Sequence, residues 1–243
     1  MQPIPSVVNG LPVNIVAGCA TLGQNLRTSR SYWASKSRGL ESEKPNNRGE
    51  CILLMRKGNR LLVYVLLSGG IDSTACVHFY RDLGYRVKLL HIQYGQAASV
   101  SGLRSSRAVA QFYKLKLLRV NLSRLEPAIS GEIPGRNALL LSTGLVSMGA
   151  RTGLIALGIH AGTRYFDCQS AFVGLWEQLL DGYTDGRIRL GTPFLGWTKS
   201  KIWQYCLSND VPLSLTWSCE SRSGRPCGRC LSCKDKEALI ARS

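Results

Sequence analysis

"LLVYVLLSGGIDSTACVHFY", residues 61–80, decides the fold. Leu61–Leu67 would be apolar on both faces of an extended chain, which suits a strand buried at the centre of a sheet. Ser68-Gly69-Gly70-Ile71-Asp72-Ser73 then leads into a helix expected over 73–83. The two glycines permit a tight turn and let a ligand approach the backbone closely. The helix presents unpaired N–H groups and the positive end of its dipole. Ser68 and Ser73 add hydroxyl donors. A strand–loop–helix of this make-up suits a phosphate or pyrophosphate.

The loop is not the mononucleotide loop of ATPases, because Gly-Lys-Ser/Thr is absent, nor the dinucleotide fingerprint, which needs G-x-G-x-x-G. Asp72 beside a phosphate would repel it unless a Mg²⁺ lies between them or the carboxylate caps the helix. The plainer alternative is an ordinary strand-to-helix turn capped by Asp72 or Ser73.

Outward from the loop the pattern alternates. "CILLM" (51–55) and residues 61–67 are apolar runs separated by "RKGNR", which predicts a hairpin. Downstream, strands are expected at 86–92, 115–120 and 153–159. Helices are expected at 100–113, 137–148, 171–180 and 198–207. This alternation predicts an α/β domain with a parallel sheet. Residues 1–50 lack clear periodicity, and 21–50 are rich in Arg, Ser, Lys and Asn; we read them as an extension or linker, with an added substrate-side element as the alternative. The domain itself is expected over 51–214, followed by a metal-binding segment over 215–243.

Lys and Arg outnumber Asp and Glu by 31 to 15, so the chain suits anionic partners such as nucleotides, acidic metabolites or RNA. Charge alone does not choose among them, and a basic solvated surface is the bland reading. No apolar run approaches the roughly 20 residues of a membrane helix. The first twenty residues have no basic leader, and Asn14 interrupts their one apolar run.

"WSCESRSGRPCGRCLSC" (217–233) brings Cys219, Cys227, Cys230 and Cys233 together with the spacing C-x7-C-x2-C-x2-C. Four thiolates at about 2.3 Å complete a tetrahedral Zn²⁺ and leave no place for water, so the metal would be structural. An iron–sulfur cluster and free thiols are the alternatives. Arg222, Arg225 and Arg229 offset the thiolate charge and are candidates to face an anionic site. Clustered cysteines of this kind fit a reducing, cytoplasmic setting. Cys76 and Cys206 fall in helical patterns and read as small core residues.

S-G-G-x-D-S after an apolar strand resembles the pyrophosphate loop of the N-type ATP pyrophosphatases. Read with "IQYGQ" (92–96), "PGRNALLLSTG" (134–144), "ALGIHAGTRYFDCQSAF" (156–172), "TPFLGWTKSKIW" (192–203) and the cysteine tail, the chain resembles the 7-cyano-7-deazaguanine synthase family of the queuosine pathway. The resemblance runs from about Leu61 to Ala238. It implies a Rossmann-like parallel sheet of the adenine nucleotide alpha hydrolase type with a C-terminal zinc-binding segment. It also implies ATP, Mg²⁺ and Zn²⁺ as cofactors, a homodimer, and conversion of 7-carboxy-7-deazaguanine to its nitrile with ammonia.

Roles follow position by position from that resemblance. Ser68, Gly69, Gly70, Asp72 and Ser73 would hold pyrophosphate, directly or through Mg²⁺. Arg136 and Asn137, at a helix start, would hold ATP or the substrate carboxylate, Arg136 through its planar fork. Lys199 would neutralise phosphate charge. Asp167 and Cys168 would lie at the substrate, where a carboxylate suits the N–H donors of a guanine-like edge. Gln93 and Gln96 are further candidates for adenine or substrate contacts. Asp72, Ser73, Arg136 and Lys199 form the candidate catalytic set. Each has a structural alternative: a helix start, a solvated lysine, a buried structural aspartate, or a surface amide.

Two stretches depart from the family. The usual region has an acidic pair ahead of "Y-S-G-Y-P-D-C"; here it reads "HAGTRYFDC", with Gly162-Thr163 where the acids would sit. Ala97-Ala98-Ser99 and several arginines follow "YGQ". These changes leave room for a relative, such as one in antiviral defence, that couples a deazapurine acid to an amine on a protein or nucleic acid. An RNA-modifying adenylase and a catalytically inactive nucleic-acid-binding protein complete the alternatives.

Overall fold

A computed structural model describes residues 61–122 and 133–241. The readings for residues 1–50 and for the hairpin partner at 51–55 lie outside these.

β1 (Leu62–Leu66) sits at the centre of a five-stranded parallel sheet. It is followed by α1 (Ile71–Asp82), β2 (Arg86–Gln93), α2 (Ser99–Tyr113), β3 (Leu117–Asn121) and α3 (Arg136–Met148). Then come β4 (Gly153–Ala156), α4 (Ser170–Thr184), β5 (Ile188–Gly191), α5 (Lys199–Ser208) and α6 (Leu231–Ile240). The strand order is β3-β2-β1-β4-β5. β1 pairs with β2 from Leu62↔Arg86 and with β4 from Leu62↔Gly153.

The apolar run of β1 splits by the period of two that a strand imposes. Val63, Val65 and Leu67 enter one core layer with Ile71, Val77, Phe194 and Ile202. Leu62, Tyr64 and Leu66 enter the other with Leu141, Ile155, Phe172 and Leu180. Helices therefore cover both faces, as a parallel sheet requires. Each fully buried Leu or Ile contributes about 1.5–3 kcal/mol relative to exposure.

The chain first steps from β1 outward to β3, then restarts on the other side of β1 at β4. That reversal separates the loops after β1 and β4, and a crevice forms at their carboxyl ends, where open α/β sheets bind ligands.

Two elements escaped the sequence reading. β5 is four residues long and carries an arginine in its middle. Arg189 is accommodated by Glu177 at 3.1 Å and Asp181 at 3.6 Å on α4. The Leu190 N–H also donates to Glu177 at 2.7 Å. α6 was hidden because its first turn holds the ligand-type residue Cys233 and its apolar residues form no continuous stripe. α4 also runs to Thr184, past the expected end at 180. Among the described residues, no helix is long and apolar enough to cross a membrane.

Candidate active site

The loop after β1 is built by local hydrogen bonds. Gly69 has φ +89°, a left-handed conformation that a side chain would strain. A Cβ there would also lie 2.6 Å from the Gly102 carbonyl oxygen. Ser73 Oγ donates to the Gly70 carbonyl at 3.0 Å, and Thr74 Oγ1 donates to the same oxygen at 2.9 Å. Ser68 Oγ lies 3.1 Å from Ser73 Oγ, pairing the two hydroxyls beside the helix start. The N-terminus of α1 has no side-chain cap, so its first N–H groups stay open to a ligand. Asp72 and Ser73 therefore do not close that end, contrary to the plain-turn alternative.

Asp72 faces across the crevice to α5. Its Oδ2 accepts a short hydrogen bond from Lys199 Nζ. The other oxygen, Oδ1, is buried and has no partner. A buried, unpartnered carboxylate oxygen beside the open helix start fits a divalent cation such as Mg²⁺. The Asp72 charge reaches inward as well. Burial first, and then Asp72, pushes the Cys76 thiol upward; burial and Asp72, opposed by Lys199, push Cys206 to about 12. Both cysteines are buried, protonated core residues at neutral pH, as the sequence predicted.

Gly158, after β4, closes the geometry from the other side. A Cβ at this position would lie 2.7 Å from the Asp72 carbonyl oxygen and 3.1 Å from the Ser73 nitrogen. Only a glycine lets the β4 loop pass this close to the first turn of α1. Its role was not legible before the sheet order was known.

The crevice has a volume of about 1640 Å³ and runs from this loop to the segment 160–168. Ser68, Gly70, Asp72, Ser73, Arg136, Asn137, Asp167, Cys168 and Lys199 all line it, so residues spread over more than 130 positions converge. Asn137 is buried, and its backbone N–H donates to Asp167 Oδ2 at 3.2 Å. Its side-chain amide donates to the Asp167 carbonyl at 3.0 Å and reaches Cys168 Sγ at 3.7 Å. Asp167 thus caps α3 from a distant part of the chain. Burial holds the Cys168 thiol above its ordinary value.

Tyr94, which sequence reasoning passed over, joins Arg136 at the crevice. Burial raises the Tyr94 hydroxyl, while the Arg136 charge and hydrogen bond oppose the rise. Its place in "YGQ" was the available signal. Gln96 lines the crevice but is spent on its own turn, accepting from the Tyr94 N–H at 2.8 Å. Gln93 turns to α2 instead, donating to Ser99 Oγ at 2.8 Å.

The four sulfur atoms of Cys219, Cys227, Cys230 and Cys233 lie within 4.8 Å of one another. Tetrahedral zinc thiolates stand about 3.8 Å apart, so the donor set fits a single metal ion. The Cys227 and Ser221 N–H groups donate to Cys219 Sγ at 3.3 and 3.5 Å. These bonds, with the Ser221 hydroxyl, outweigh burial and lower the Cys219 thiol, whereas burial raises that of Cys233. Cys230 reaches the crevice edge; Arg222, Arg225 and Arg229 are exposed and do not line it.

Against known proteins, the family model for "Queuosine biosynthesis protein QueC" matches residues 62–132 and 126–241. The 7-cyano-7-deazaguanine synthase of Methanosphaerula palustris is 34% identical over 204 residues, covering 72% of this chain and 92% of that protein. The enzyme of the same name from Archaeoglobus fulgidus is 32% identical, covering 73% of this chain and 85% of that one. Among solved structures, the U34-tRNA thiolase NcsA of Methanococcus maripaludis is 13% identical with a TM-score of 0.44, covering 75% of this chain and 66% of that one.

Proposed function

The chain belongs to the queuosine biosynthesis protein QueC family, and from that membership we propose that it is an ATP-dependent ligase acting on 7-carboxy-7-deazaguanine. The observation that carries this reading is the convergence of the open loop 68–73, the Asp72–Lys199 pair and Arg136 on one crevice.

A carboxylate is a poor electrophile until an oxygen is adenylated. In this site the substrate carboxylate attacks the α-phosphate of ATP and pyrophosphate leaves. Ser68, Ser73 and the open N–H groups of α1 receive the pyrophosphate, and Lys199 neutralises its charge. Ammonia then displaces AMP and gives the amide. A second ATP adenylates the amide oxygen, and loss of AMP and a proton yields the nitrile. Arg136 orients the carboxylate through its fork. Asp167, held by Asn137, offers its carboxylate to the N–H edge of the base, with Cys168 beside it. Positioning and charge stabilisation supply most of the rate.

Mg²⁺, held through Asp72, would supply charge neutralisation on the phosphates. Zn²⁺, held by the four cysteines, would supply structure, since a complete thiolate shell leaves no open position.

The test is to incubate the protein with ATP and 7-carboxy-7-deazaguanine, with and without ammonia, and to follow AMP and product mass. AMP with nitrile is expected. AMP without amide or nitrile would point to another amine acceptor. No AMP with this acid, together with tight salt-sensitive RNA binding, would overturn the reading.

A further inference from the structure

The nucleotide loop and the segment that leads into the cysteine cluster are distant in sequence yet share one hydroxyl. Ser105, buried on α2, has its Oγ 2.7 Å from the Gly69 carbonyl oxygen and 2.5 Å from the Leu215 carbonyl oxygen. A serine hydroxyl donates a single hydrogen. Both neighbours are acceptors, so one proton serves the loop and the segment that leads into the cysteines. The same Gly69 oxygen accepts the Trp217 N–H at 2.8 Å. Trp217 in turn donates its indole Nε1–H to the carbonyl of Cys219 at 2.7 Å. A continuous path therefore runs from Cys219 to Gly69, the left-handed glycine of the nucleotide loop. Gly69 is packed closely against Gly102 and Ser105, so a shift of the 215–219 segment bears directly on the loop.

We propose that Ser105 is a positioning residue that couples the nucleotide loop to the cysteine cluster, so that bound nucleotide and bound metal retain each other. The proposal rests on reading residues 68–73 as the nucleotide site. Whatever affinity the metal lends to nucleotide, nucleotide must lend equally to the metal. A purely structural metal segment, merely attached to the domain, would show no such reciprocity.

The experiment uses the Zn²⁺-loaded full chain. Apparent zinc affinity is measured by competition with a chromophoric chelator, with and without saturating Mg·ATP, and ATP affinity is measured by calorimetry. In the unmodified protein, ATP is expected to tighten zinc retention about fivefold or more, the lower range of allosteric coupling. In Ser105→Ala, which unties Leu215 from Gly69 but leaves the Trp217–Gly69 bond, that factor falls clearly below its value in the unmodified protein, and KM for ATP rises more than kcat falls. Ser106→Ala serves as the control. It loses hydrogen bonds to the Leu67 carbonyl at 3.1 Å and His91 Nδ1 at 2.9 Å on the same helix, and should keep the coupling factor. Equal zinc retention with and without ATP in a protein that binds ATP would overturn the coupling alone. Failure of the unmodified protein to bind ATP would overturn the nucleotide reading and the coupling together. If Ser105→Ala does not fold, Ser105→Cys, close in size but only a weak donor, takes its place, and an unchanged factor in that variant would remove Ser105 from the coupling.

Discussion

At the scale of single residues, Asp72 has two different oxygens. One is held by Lys199; the other is buried and unpartnered. The side chains of this pair remain 24% and 28% exposed, so its contribution to stability is small, about 0–1 kcal/mol. Asp72→Ala is therefore expected to leave the melting temperature almost unchanged while lowering AMP formation by about 10²-fold or more. Full activity in that variant would remove Asp72 from the chemistry. Gly69→Ala is the opposite case. Left-handed backbone costs a non-glycine residue about 1–2 kcal/mol, and the new methyl would meet the Gly102 carbonyl. Weaker ATP binding and a lower urea midpoint should appear together.

Among the elements, α3 and the cysteine segment owe their ends to distant partners. α3 begins at a Gly135 in the left-handed region with no local side-chain cap, and Asp167 supplies the missing acceptor. Asp167→Ala should cost about 1 kcal/mol in stability as well as substrate affinity, and Asp167→Asn should recover most of the stability but not the affinity. That split, read from urea melts and KM for the deazapurine acid, separates cap from recognition. Cys230→Ser removes one of the four clustered sulfurs that could hold a metal. Metal content by elemental analysis should fall, and the melting temperature with it, because structural metal binding is folding energy.

For the whole molecule, the buried histidine beneath the loop sets a pH dependence. His91 Nδ1 lies 2.8 Å from the Leu67 carbonyl, and its Nε2 has no partner. Burial lowers its pKa below 6.5, with the Leu67 hydrogen bond opposing. The unfolded chain then takes up this proton before the folded one. Stability is complete above 6.5 and falls as pH drops from there towards the folded value, by at most about 1.4 kcal/mol per pH unit from this group. His78 shifts in the same direction. His91→Gln should reduce the loss of melting temperature between pH 7.5 and 5.5; an unchanged loss would place its origin elsewhere.

The apolar run at 61–67, the glycines and serines after it and the close cysteine spacing determined an α/β parallel sheet, an open strand-to-helix loop and a cluster of four sulfurs able to hold a metal. Local patterns carried these features because each depends on residues near one another in the chain. Only the tertiary structure decided that β4 lies against β1, which brings Gly158 onto the first turn of α1. It also decided that Asp72 meets Lys199, that Asp167 caps α3, and that Ser105 joins Gly69 to Leu215. Each of those contacts spans tens of residues, and no local periodicity encodes which distant loop the strand order will bring alongside.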